Sequence, residues 1–122
     1  MTAEKKTYNG WSNYETWNVA LWIGNEEWSD SYWRERTQEV YDEAEADKNF
    51  TREERAALTL ADQLKYEIEE AAPDLTPSMF SDLLNAALSE VDWHEIASNW
   101  LEDVDKADPE EDEETDDDTE AE

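Results

Sequence analysis

Apolar residues recur three and four positions apart along most of the chain, and the polar breaks between them carry helix-start signatures. Ser12-Asn-Tyr-Glu15 has the spacing of a capping box. Tyr14, Trp17, Val19, Leu21, Trp22 and Ile23 follow as a broad apolar face, and Gly24-Asn25 suits a left-handed stop, which predicts a first helix over roughly 13 to 23. Ser29 or Asp30 caps a second helix running to about Ala46, with Trp33, Val40, Tyr41 and Ala44 inside and Glu35, Glu39, Asp42 and Glu43 outside. Thr51-Arg-Glu-Glu54 opens a third, whose Ala57, Leu60, Ala61, Leu64 and Ile68 face inward and which ends before Pro73. Thr76-Pro77 reads as the N-cap and first residue of a fourth, with Phe80, Leu83, Leu84, Ala87 and Leu88 inside. Asp92-Trp-His-Glu95 repeats the capping-box spacing ahead of Trp93, Ile96, Ala97, Trp100, Leu101 and Val104. No segment alternates with period two for long enough to argue a strand. The predicted class is all-α: a bundle of about five helices over 1–104.

Charge then divides the chain. It has 36 acidic side chains against nine basic ones, a formal charge of -27 in 122 residues. From Glu102 onward stand 14 of the acids and one lysine, while the first 101 residues still hold 22 acids and eight bases. The stretch 105–122 has almost no apolar content and cannot offset its ordering entropy, so it is predicted to be a disordered acidic tail. A calcium loop of the EF-hand kind is excluded there, because no glycine lies beyond Gly24.

Composition excludes much chemistry. There is no cysteine and a single histidine, so neither a disulfide framework nor an ordinary zinc site is expected. No cofactor, metal or catalytic residue is assigned, and the chain is read as a non-enzyme. His94, alone beside Trp93, reads as a surface or partly buried structural residue. Glu15, flanked by Tyr14 and Trp17, is explained by its capping role. No apolar run reaches 18 residues, and none follows Met1-Thr-Ala-Glu-Lys-Lys6, which predicts neither a membrane span nor a secretory signal and hence a cytoplasmic protein.

Five tryptophans fall at 11, 17, 22, 28 and 33. Stacking on bases is disfavoured, since phosphate contact needs cations that this surface lacks. Most of these rings are expected in the core. Trp28, beside Asn25-Glu-Glu27 at a helix break, is the candidate interface anchor.

The segment Asn13-Tyr-Glu-Thr-Trp-Asn-Val-Ala-Leu-Trp22 and its surroundings from Asn9 to Glu26 resemble the opening of a family of small proteins encoded by phages, prophages and plasmids. Ser81 to Ala97 is similar to that family's second block. The resemblance implies a mobile-element setting and brings no site residue with it. By analogy of type alone, a short, helical, very acidic chain is also similar to phage DNA-mimic inhibitors such as the restriction inhibitor Ocr.

Two readings of the acidity follow. In the first, the protein occupies the nucleic-acid cleft of a basic host protein as a DNA or RNA mimic, in the manner of an anti-restriction or anti-CRISPR inhibitor. Its partner-binding candidates are Glu35, Glu39, Asp42 and Glu43, extended by Glu45 and Asp47, then Glu67, Glu69 and Glu70, with Trp28. It contacts no nucleic acid or membrane directly, and monomer and homo-oligomer both stay open. In the second, acidity is salt adaptation of a viral or plasmid protein-binding module and serves solubility only.

Overall fold

The computed structural model describes residues 8–106, and every structural statement below concerns these. They form five helices: α1 (Tyr14–Asn25), α2 (Glu27–Glu43), α3 (Arg52–Ala71), α4 (Met79–Ser89) and α5 (Trp93–Leu101). The class is all-α, and no strand occurs among the described residues. No helix among them is long and apolar enough to cross a membrane.

The core is the seam where α3 meets α5, closed on one side by α2. Leu60, Leu64, Ala56 and Ala57 of α3 pack with Ile96, Ala97, Leu101 and Trp93 of α5 and with Trp33, Val40 and Tyr41 of α2. All are buried and all but Ala56 stand at positions expected inside, while Ala44, Ala61, Ile68, Trp100 and Val104, expected with them, are half-buried; each large apolar side chain in the core contributes about 1.5 to 3 kcal/mol.

α1 is placed differently from its pattern. Its buried positions are Thr16 and Ile23, with Val19 and Ala20 half-buried between them. Tyr14, Leu21 and Trp22 point outward, Trp22 at 60% exposure. The reason is polar: Thr16 Oγ1, fully buried, accepts the Asp92 N–H at 2.8 Å and fixes which side of α1 faces α5. Asn13, not Ser12, is the N-cap, accepting from Thr16 N at 2.8 Å while its Nδ2 donates to Glu90 O at 2.8 Å. Ser12 is diverted to Glu95, donating through Oγ at 2.7 Å and through its backbone N–H at 3.3 Å. The capping box expected at Asp92 is therefore half made: Asp92 accepts from Glu95 N, but the Glu95 carboxylate reaches Ser12. Thr16→Val is expected to cost about 1 to 3 kcal/mol, because it leaves the Asp92 N–H facing a methyl group. Urea unfolding measures this, and a loss below about 0.5 kcal/mol would contradict it.

Helix ends differ at four further points. Gly24 lies within α1, and the stop is Glu26 in extended backbone, so α2 begins at Glu27 with Ser29 buried inside it. α2 ends at Glu43, short of Ala46, where the Arg52 guanidinium donates to Tyr41 O and Asp42 O and lies 4.4 Å over the Tyr41 ring. Thr51 opens α3 with the complete capping box its sequence implies. Ser78, two residues past Thr76, caps α4 in a reciprocal pair with Ser81. Asn9 and Gly10, the two residues with positive φ, make a tight turn in which Tyr8 and Trp11 exchange backbone hydrogen bonds of 2.8 and 2.7 Å. That turn sets Tyr8 against Tyr14 and Trp17.

α4 departs most from expectation. None of its residues is buried, and Phe80, Leu83 and Ala87 of its expected inner side are exposed. Leu84 and Leu88 alone turn partly inward, lining a cleft of about 740 Å³ against the end of α3. The fourth helix docks by this narrow stripe alone, the core being closed by α2, α3 and α5.

Candidate protein interaction surface

A helix advances about 100° and 1.5 Å per residue, so Ser29, Trp33, Thr37 and Val40 line the buried side of α2, the opposite side falls to Trp28, Glu35 and Asp42, and Tyr32 and Glu39 stand at its edge towards α3. All five of these outward residues are exposed, Trp28 to 72%. The ridge thus reads from an aromatic head into a row of carboxylates, with Glu43 beside it. Glu35 to Glu43 places four carboxylates over about 12 Å of axis, close to the one charge per about 3.4 Å of a single DNA strand.

Few cations offset this row. Arg36 pairs with Glu39 at 2.9 Å, but among the described residues the carboxylates of Glu35, Glu43 and Glu45 have no hydrogen-bond or ion-pair partner. Arg34 is held on Asp30 and over Trp100 and Arg55 on Asp47 and over Phe50, while Arg52 donates to the Tyr41 and Asp42 carbonyls at the end of the row. Across 8–106 the tally is 24 acids against seven lysines and arginines.

The end of the described chain meets the row at Asp42. Gln38 accepts the Asp105 N–H at 2.9 Å and donates through Nε2 to Asp105 O and to Asp42 Oδ1, both at 3.0 Å. Tyr41 Oη donates to Lys106 O at 3.4 Å, and Lys106 Nζ reaches Glu53 at 2.8 Å, a bond that raises its pKa. Asp105 and Lys106 therefore belong to the folded body, two residues beyond the expected boundary at 104. The rest of the predicted tail, 107–122, lies outside the described residues.

The remaining candidates serve other ends. Asp47 accepts the N–H groups of Asn49 and Phe50, both at 2.8 Å, and these bonds hold its pKa below the ordinary aspartate value. The stability they provide is present above the ordinary carboxylate range and lost as pH falls through the lowered pKa. Glu67 does not join the row: both its oxygens accept from Tyr32 Oη, at 3.0 and 2.9 Å, and one from Gln63 at 2.7 Å, while Arg36 donates to Gln63 at 2.8 Å. This network ties α2 to α3 and raises the Tyr32 pKa, chiefly through the Glu67 bond. Glu69 and Glu70 are exposed near the end of α3 on different sides of that helix, Glu69 at the cleft beside α4. Sequence reasoning missed Trp22 and the α4 apolar face, both of which it assigned to the interior.

His94 is exposed and Glu15 half-buried. Among the described residues no group of three or more histidines, cysteines or carboxylates is placed to hold a metal ion.

The fold and surface define a small, all-α, acidic protein whose second helix presents an outward carboxylate row. Residues 4–112 match the model of a family of unknown function, DUF7249, and the chain belongs to that family. No curated protein and no solved structure matches the chain.

Proposed function

We propose that this is a non-enzymatic inhibitor from a virus or mobile element, acting in the host cytoplasm, that occupies the nucleic-acid cleft of a basic host protein. The target class is a restriction or CRISPR defence system, which makes the protein an inhibitor of the anti-restriction or anti-CRISPR kind. One observation carries the reading: Gln38 holds both the Asp42 carboxylate and the backbone of Asp105, so the end of the described chain is moored to the α2 row at Asp42. A cationic cleft would meet both together. Complementary potential of this kind speeds encounter and makes binding strongly salt-dependent. Trp28 at the head of the row supplies an apolar anchor of the kind that dominates interface energetics.

The test is capture from a host lysate at low salt. Basic nucleic-acid-binding proteins should be enriched and then released by several hundred millimolar salt or by competing DNA. Equal recovery of neutral proteins would refute the proposal.

The exposed acids away from α2, such as Asp62 and Glu69 on α3 and Glu102 just past α5, favour the second reading, salt adaptation. Under it the protein should unfold in low salt and recover in molar potassium chloride.

A further inference from the structure

We infer that α4 is the contact helix of a symmetric dimer, in which two copies of the chain meet antiparallel about Leu83. Met79, Phe80, Leu83, Ala86 and Ala87 stand at i, i+1, i+4, i+7 and i+8, one continuous helical stripe, and all five are exposed. Met79 and Phe80 are each 63% exposed and Leu83 61%, on a helix with no fully buried residue, whose inward contacts come from Leu84 and Leu88 on its other side.

Two features select a second copy as the occupant. The first is charge. From Leu75 to Ser89 the only charged side chain is Asp82, in a chain of net charge -27. A basic partner gains nothing from a face stripped of carboxylates, whereas two such polyanions can approach each other only where charge is missing. The second is shape. The stripe has two large side chains at one end, two alanines at the other, and Leu83 midway. A two-fold axis through Leu83 sets Met79 opposite Ala87, Phe80 opposite Ala86, and Leu83 opposite itself. Bulky groups of one copy then enter the shallow end of the other, as an isologous contact requires. A parallel arrangement would stack large on large and leave the alanine end gaping.

The area is modest. Three side chains offering on the order of 120 Å² each, with the alanines and flanks, bury about 1,000 Å² in all, at the low edge of specific interfaces. Dissociation is expected on the order of tens of micromolar. Salt should tighten the dimer by screening the repulsion between copies, the opposite of its effect on a cationic target. The inference is independent of the proposed function.

Sedimentation of the full chain from about 5 to 500 µM, at low and at half-molar salt, tests it. The wild type should shift from monomer to dimer, at lower concentration in high salt. Phe80→Asp with Leu83→Asp should stay monomeric throughout with unchanged helicity. A wild type that remains monomeric at the highest concentration in both salts, or a dimer that survives the double variant, would overturn the proposal. Because the chain has no cysteine, a single replacement reports the geometry with no competing thiol. Leu83→Cys should form a covalent dimer under mild oxidation. Met79→Cys should not, its two copies being about 12 Å apart along the axis, beyond disulfide reach. Crosslinking of the second without the first would also overturn it.

Discussion

Replacement of Trp33 by alanine is expected to remove about 3 to 5 kcal/mol of stability. The ring is 3% exposed, sits edge-on to Tyr32 at 5.0 Å and fills the space between α2 and the α3–α5 seam. A domain of this size holds about 5 to 15 kcal/mol in total, so the loss lowers the melting temperature by more than about 12 °C. Trp28→Ala, at a ring 72% exposed, should by contrast change stability by less than about 0.5 kcal/mol. Circular dichroism melts of the two variants check the pair together. Equal destabilisation would mean that the inside and outside of α2 have been assigned wrongly.

The second large effect concerns binding. Converting Glu35, Glu39 and Glu43 to glutamine and Asp42 to asparagine keeps shape and removes four charges from one ridge. An exposed charge contact contributes about 0.5 kcal/mol, so the set should weaken a cationic target by about 2 kcal/mol, roughly 30-fold, at low salt. The difference should shrink towards nothing near half-molar salt, where screening removes what the substitution removed. Stability should hold or rise slightly, since only the Arg36–Glu39 pair is lost while repulsion along the ridge is relieved. Titration calorimetry against a captured target at two salt concentrations measures this. Unchanged affinity at low salt would show that the α2 row is not the contact surface.

How much of this was legible in the sequence depends on what fixes each element. α3 and α5 were readable because their apolar periodicity and the N-caps Thr51 and Asp92 agree with the tertiary packing. The α2 ridge followed from the same arithmetic: once Trp33, Val40 and Tyr41 point inward, Glu35, Glu39 and Asp42 have only outside left. α1 was misread because its orientation is set by hydrogen bonds at Asn13 and Thr16 to a segment over seventy residues away, which no local pattern contains. α4 was misread because hydrophobicity says that a face wants cover, not whether the same chain supplies it. Glu67 was counted as free charge because its partner, the Tyr32 hydroxyl, lies 35 positions earlier on another helix. The turn at Asn9-Gly10 did carry a local signal, since that dipeptide favours the two positive φ values a tight turn requires.

The double grip of Gln38 on Asp105 also makes a latch. Because the amide of Gln38 must both accept the Asp105 N–H and donate to its carbonyl, while Tyr41 Oη holds the Lys106 carbonyl, the end of the described chain leaves α2 only by breaking three bonds together, and a carboxylate in place of Gln38 would keep just one of its two.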